Sequence, residues 1–339
     1  MDATSDQPMV LVTGVTGFLG SRIAALLLER GYAVRGSLRS AARAVDIERA
    51  IRAQTDKGKL DFVETDLTAD AGWREAASGC TYAIHVASPF TSALPRHEDE
   101  MIVPAREGAL RLLGAAKAAG VRRVVLTSST AAVAYGDGEP PYDEEDWSDV
   151  TNPLCTPYYK SKTLAERDAW DFARASGLEL TVINPGLILG PMMERDFSPS
   201  VEVVRRLLAG AYPGTPRIAF PIADVRDVAE AHIRAMLEPA AAGERFIVSG
   251  PSLWFREIAA ILRQAHPELA RKIPRRDLPD WLMRLVARFD PAARTVIGDL
   301  GRDGRVCGDK ARRILKLDYR PADETIRDTA ASLLALGLV

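Results

Sequence analysis

Residues 9–31 read MVLVTGVTGFLGSRIAALLLERG, and no other stretch restricts the fold as tightly. Met9–Thr13 is a short apolar run of buried-strand type, and the residues from Ser21 onward form an apolar helix closed by Gly31. Between them stand Gly14, Gly17 and Gly20, three apart. A strand that turns on glycines straight into a helix begins a βα unit. Glycine permits the tight turn and lets backbone N–H groups approach an anion, while the helix N-terminus adds partial positive charge. That context is the one a dinucleotide-binding fingerprint requires, although the spacing is GxxGxxG rather than GxGxxG. Gly14, Thr16, Gly17, Phe18, Leu19 and Gly20 are therefore candidate contacts for a pyrophosphate. The plain alternative is a tight turn with no ligand.

The rest of the chain continues the alternation. Strand-like runs at 32–38, 60–66, 82–88, 123–129 and 178–186 alternate with helix-like stretches at about 42–55, 98–120 and 157–177. Such an order predicts an α/β fold, a Rossmann-type doubly wound parallel sheet with ligands at the carboxyl ends of the strands. Beyond Gly190 prolines multiply, at Pro191, Pro199, Pro213, Pro216 and Pro221, and the rhythm loosens. The expected division is a nucleotide-binding domain over 1–190, with a return segment at about 222–250. Residues 191–339 are expected to form mainly a smaller C-terminal α/β substrate domain. Within it Trp281, Leu282, Leu285 and Val286 have helical spacing and read as core or pocket wall, and Arg271, Lys272, Arg275 and Arg276 as a solvated face.

Composition narrows the function classes. Lys and Arg number 44 against 46 Asp and Glu, a net charge of −2, which argues against binding nucleic acid through bulk charge. No apolar run approaches the roughly 18 residues of a membrane span. The opening MDATSDQP does not resemble a secretory or transit sequence. Cys80, Cys155 and Cys307 are scattered without metal-ligand spacing, so no metal site is expected. The expectation is a cytoplasmic protein, monomer or homodimer, whose partner is a small molecule and neither nucleic acid nor membrane.

The end of the second strand selects among dinucleotides. An acid there binds the adenosine ribose hydroxyls of NAD. This chain has Ser37, Leu38, Arg39 and Ser40 instead. Arg39, with Arg43 as a second contact, suits a 2′-phosphate and predicts NADP(H) as cofactor. Asp66, followed by Leu67, could accept from an adenine amino group or cap a helix. Further on stands YYKSK, Tyr158 to Lys162, at the start of a helix opened by Pro157 and stopped by Gly177. Residues four apart share a helix face, so Lys162 lies on the side of both tyrosines and Lys160 does not. Tyr158–Lys162 and Tyr159–Lys162 are both candidate pairs, and an ordinary solvated helix start is the alternative.

Taken together, VTGVTGFLG, VRGSLRS, Asp66-Leu67, HVASPF, VPAREGALRLL, RRVVLTSS, PPYDEEDWSD, YYKSKTLAERDAW, NPGLILGP and DVRDVAEAHI run in an order that resembles a known family. It is the extended short-chain dehydrogenase/reductase group, in the branch of dihydroflavonol reductase, cinnamoyl-CoA reductase and methylglyoxal (aldehyde) reductase. The glycine spacing is one that this group shares. The resemblance covers nearly the whole chain and implies an NADPH-dependent carbonyl reductase that converts an aldehyde or ketone to the alcohol. It maps the family's Tyr-x-x-x-Lys motif onto Tyr158 and Lys162, making Tyr159 a bystander, and its serine onto Ser129, with Ser128 and Thr130 as competitors. It also implies cofactor contacts from Val86, Ala87, Ser88, Pro185, Ile188 and Ser200, besides Tyr158 and Lys162. His85 reads as a packed strand residue. Two positions depart from the family. Ala134 stands where plant dihydroflavonol reductases have an asparagine, and Asp46 replaces a second basic cofactor residue, leaving the cofactor choice on Arg39. A nucleotide-sugar epimerase or dehydratase shares the fold and triad, but an acid after strand two is missing, and Ala131 and Ala132 replace a dehydratase's Asp-Glu pair. A non-catalytic NADP(H)-sensing protein would ordinarily have lost the tyrosine or the lysine.

Overall fold

The computed structural model describes residues 7–89, 95–195, 198–289, 294 and 296–339. Strand β1 (Met9–Thr13) leads through the glycine turn into helix α1 (Phe18–Glu29). Val10, Leu11 and Val12 are fully buried, and Leu19, Ile23 and Leu27, four apart on α1, form the stripe that faces the sheet. Strand β2 (Ala33–Leu38), helix α2 (Ala44–Arg52), strand β3 (Leu60–Glu64), the short helix α3 (Trp73–Ala77) and strand β4 (Tyr82–His85) follow. Then come helix α4 (Asp99–Ala118), strand β5 (Arg123–Thr127), helix α5 (Pro157–Ser176) and strand β6 (Glu179–Pro185).

After β6 the chain leaves the main sheet. Strand β7 (Leu187–Leu189), helix α6 (Pro199–Leu208), strand β8 (Ala219–Asp224) and helix α7 (Val225–Leu237) precede β9 (Arg245–Val248), which returns to pair with β6. Strand β10 (Ser252–Trp254) and helices α8 (Phe255–Ala265) and α9 (Asp280–Val286) complete the series before two C-terminal helices, Asp309–Ile314 and Ala322–Ala335.

The main sheet has seven strands in the order β3-β2-β1-β4-β5-β6-β9, and every pair is parallel. The order reverses between β1 and β4, so the crevice that such folds use for ligands opens beyond Thr13 and His85. A second sheet, β10-β8-β7, lay beyond the reach of the sequence, because its strands are short and one is antiparallel. It carries its own core, in which Val201, Val204 and Leu207 of α6 meet Phe255 and Ile258 of α8 and Ile326 and Leu333 of the last helix.

One expectation fails here. Trp281, Leu285 and Val286 are exposed, and α9 instead buries Met283, packed with Ala287 against Leu278, Ile297 and Leu300. The four apolar residues span more than one face of a seven-residue helix, and spacing alone did not fix which face met the core. The cluster of Arg271, Lys272, Arg275 and Arg276 is exposed as expected.

Candidate active site

The glycine loop is fixed by contacts that leave no room for a side chain. Gly14 has φ +65°, and a Cβ there would lie 2.9 Å from the Ala87 backbone. A Cβ on Gly20 would lie 2.2 Å from the Gly14 carbonyl oxygen. Gly17 N–H donates to that carbonyl at 3.0 Å, and Gly17 is the N-cap of α1 with no side-chain cap, so the first amides of the helix face outward. Thr16 and Phe18 are half-buried and Leu19 is buried. This cradle fits a pyrophosphate.

The adjoining edge is built by Thr13. Its hydroxyl accepts from Val86 N–H and Ala87 N–H, each at 3.1 Å, and pairs with His85 Nδ1 at 2.8 Å. An oxygen already accepting two N–H groups turns its proton to Nδ1, so the imidazole proton sits on Nε2. Burial, reinforced by Lys162, pulls the His85 pKa down to about 3, and the ring stays neutral. It is a packed strand residue, as expected, and edge-on to Trp73.

Arg39, directly after β2, is exposed and has no ion-pair partner among the described residues. Its charge lies near enough to Asp66 to help hold that carboxylate's pKa below the ordinary value, behind hydrogen bonds from Thr68. Arg43 differs, since its guanidinium meets Glu194 at 3.0 Å. Asp66 accepts from the Thr68 N–H and hydroxyl, both at 2.7 Å, which closes a turn. The helix-cap reading is thereby corrected, because α3 starts later and its N-cap is Gly72. Leu67 packs against Gly108 of α4, where a Cβ would collide with it at 2.4 Å. Pro185 ends β6, Ile188 lies in β7, and the Ser200 hydroxyl in α6 pairs with that of Ser198 at 2.8 Å.

The tyrosine helix starts as its sequence suggests. Thr156 is the N-cap, its hydroxyl accepting from Tyr159 N–H, Pro157 takes the first turn, and Gly177 ends α5 with φ +68°. Lys160 points elsewhere and pairs with Glu98 at 2.7 Å. Tyr158 and Ser129 share a side-chain hydrogen bond. Ser129 directly precedes the 3-10 turn Thr130–Ala132, and its hydroxyl also accepts from Ala131 N–H at 3.1 Å. Burial raises the Tyr158 pKa and the Ser129 contact opposes it. Of the two, burial is the larger influence, so the phenol stays protonated in the protein alone.

Lys162 lies one turn on, 8% exposed, with Nζ 3.4 Å from the Thr127 carbonyl oxygen. Burial draws its pKa down to about 8, against the opposing charge of Glu166. A cavity of about 20 Å³ joins Lys162 to Ala87, Ser88 and His85, so the lysine and the glycine-loop edge border one space.

Glu166 escaped notice in the sequence, although the i, i+4 step from Lys162 could have marked it. Its fully buried carboxylate accepts from Ser128 Oγ at 2.5 Å and Asn184 Nδ2 at 2.8 Å, and pairs with Arg245 Nε at 2.8 Å. Asn184 Nδ2 also reaches the Ser129 carbonyl at 3.2 Å. Ser128 is thus occupied by Glu166, which leaves Ser129 as the hydroxyl on Tyr158. Among the described residues no cluster of metal-ligating side chains forms. None of the helices there is long and apolar enough to cross a membrane.

The sequence profile of the NAD dependent epimerase/dehydratase family matches residues 10–249, from β1 through the end of the main sheet. The chain belongs to this family. Among its curated relatives is a cinnamoyl-CoA reductase CAD2 of Medicago truncatula, 31% identical over 333 residues that cover 96% of this chain and 95% of that one. A dihydroflavonol 4-reductase of Zea mays is 34% identical over 274 residues, 78% of this chain and 76% of that one. Among solved structures, yeast methylglyoxal/isovaleraldehyde reductase Gre2 complexed with NADPH superposes with a TM-score of 0.78 at 28% identity, covering 98% of this chain and all 100% of that one. All three are named reductases, as the resemblance read from the motifs implied.

Proposed function

We propose that this protein is an NADPH-dependent carbonyl reductase, reducing an aldehyde or ketone to the alcohol. The observation that carries the reading is the pairing of Ser129 with Tyr158, with Lys162 buried one turn away and bordering the same space as the loop that carries Ala87 and Ser88. The relatives named above support it, being reductases, one of them complexed with NADPH.

In this reading Gly14, Thr16, Gly17, Phe18, Leu19 and Gly20 hold the pyrophosphate, Arg39 and to a lesser degree Arg43 the 2′-phosphate, and Asp66 and Leu67 the adenine edge. Val86, Ala87, Ser88, Pro185, Ile188 and Ser200 border the nicotinamide. NADPH, when bound, supplies the hydride that adds to the carbonyl carbon. The protein's own work is at the oxygen. Ser129 and Tyr158 donate hydrogen bonds to it as negative charge grows there, and Tyr158 transfers its proton to complete the alcohol. Lys162, protonated below about pH 8, places a positive charge near the phenolate left behind and offers a donor to the cofactor's ribose.

The test is consumption of NADPH, followed by its absorbance, with a panel of aliphatic and aromatic aldehydes and ketones. A steady fall dependent on the carbonyl supports the proposal. Turnover of a nucleotide sugar with no net loss of NADPH would instead favour an epimerase. NADPH binding without turnover of any substrate would favour a sensor.

A further inference from the structure

Tyr159, the neighbour that the reaction does not use, is neither solvated nor idle. Its hydroxyl donates to Asp299 Oδ2 at 2.9 Å, and the Tyr135 hydroxyl donates to Asp299 Oδ1 at 2.5 Å. The two rings stack with centroids 4.2 Å apart. Arg302, from the same turn as Asp299, lies 4.0 Å from the Tyr135 ring centroid and donates to the Ala134 carbonyl and, at 3.3 Å, to the Tyr142 hydroxyl.

Segment 297–302 has further contacts. Ile297 and Leu300 pack with α9, and Gly301 N–H donates to the Arg217 carbonyl at 2.7 Å. Gly298 lies over Leu154, just ahead of α5. The elements that Asp299 grips are those that carry the reacting pair. Tyr135 follows the turn that begins at Ser129, and Tyr159 adjoins Tyr158, whose ring centroid is 5.9 Å away. A single carboxylate therefore joins the C-terminal segment to both halves of the site.

We infer that Asp299 is a positioning residue for the reduction: by accepting from both phenols it seats segment 297–302 as a wall beside Tyr158 and so sets how firmly a carbonyl substrate is held there. This rests on the reductase reading above. An isolated tether elsewhere on the surface would affect stability alone. This one, by its place, affects the substrate and leaves the cofactor loop untouched. The two phenols are coupled, because both donate to one carboxylate and their side chains also hydrogen-bond each other.

The experiment compares Asp299→Asn, Tyr159→Phe and the double variant. Asp299→Asn is expected to raise the KM for an aromatic aldehyde by about tenfold, the size of a lost hydrogen bond to a charged group. Affinity for NADPH should stay within about twofold and kcat within about threefold, a split that marks lost substrate binding rather than lost chemistry. Tyr159→Phe keeps the ring stack and should raise KM by a smaller factor of about three, and the double variant should resemble Asp299→Asn because the two changes remove one shared contact. An unchanged KM in an Asp299→Asn protein that binds NADPH overturns the inference, as do additive effects in the double variant. Should Asp299→Asn fail to fold, Tyr159→Phe alone decides: a raised KM supports the inference and an unchanged one overturns it. Trypsin cleavage after Arg302 and Arg305 gives a readout free of turnover, expected to accelerate about tenfold in Asp299→Asn as the local opening equilibrium shifts, with an unchanged rate counting against the seating. A wild-type protein that reduces no carbonyl would defeat the reductase reading, while the cleavage rates would still decide whether Asp299 holds the segment.

Discussion

The two ends of the site are built in opposite ways. The glycine loop is local: strand, turn and helix lie within residues 9–29, and its fit is decided by Gly14, Gly17 and Gly20 meeting each other and Ala87. The contact behind Tyr159 is assembled from a distance, since Asp299 meets Tyr159 across 140 positions and Tyr135 across 164. A local device is legible and tolerant of changes elsewhere. A device closed by distant chain is adjustable without touching the loop.

That contrast is breakable by experiment, and the largest effect belongs to the loop. Gly14→Val puts a branched side chain at φ +65°, where even a Cβ comes within 2.9 Å of the Ala87 backbone. It should abolish NADPH binding, measured by fluorescence titration, in a protein whose circular dichroism remains native; retained affinity would mean that the loop is not the pyrophosphate cradle. Next, Tyr158→Phe should lower kcat by roughly 10²–10⁴-fold, the range for a lost general acid, with NADPH affinity kept. Turnover close to wild type would remove Tyr158 from the chemistry. If the cofactor end discriminates through an exposed arginine, Arg39→Ala should raise the KM for NADPH about tenfold, as for a lost charge-assisted contact, and leave that for NADH nearly constant. Equal effects on both cofactors would contradict the 2′-phosphate role.

Smaller effects sharpen the comparison. Arg43 already pairs with the Glu194 carboxylate, so Arg43→Ala should change the KM for NADPH by less than about threefold. In the pH profile, Lys162 is the group to watch. Its pKa, drawn down to about 8, means that it is an ammonium below that pH and neutral above it, so reduction should decline as pH rises past about 8. Glu166 holds that pKa up, and Glu166→Gln should move the decline to lower pH. A profile that ignores both changes would detach the lysine's charge from the rate.

Much of this was readable in advance, for physical reasons. Alternating apolar runs and helices gave a doubly wound parallel sheet, because parallel strands buried on both faces leave few topologies. Pro157 and Gly177 gave both ends of α5, while the N-cap Thr156 came only with the structure. The pair Tyr158–Lys162 was legible from helical spacing only as one of two choices, and the family motif chose between them. The choice of Ser129 over Ser128 also came from that motif, and Glu166, which occupies Ser128, lies outside it. The face of α9 was misread because apolar residues on a short helix do not name the partner that covers them. Asp299 carried no signal at all, since a lone aspartate in a late turn looks like any other.

By itself the sequence determined the βα glycine unit, the parallel sheet and the helix bearing Tyr158 and Lys162, all set by periodicity and backbone constraints within a few residues of each other. Only the tertiary structure decided that Glu166 holds Ser128 and stands behind Lys162, and that Asp299 binds Tyr135 and Tyr159. Those outcomes depend on burial and on hydrogen bonds between segments far apart in the chain, and such pairings exist only after the chain has closed on itself.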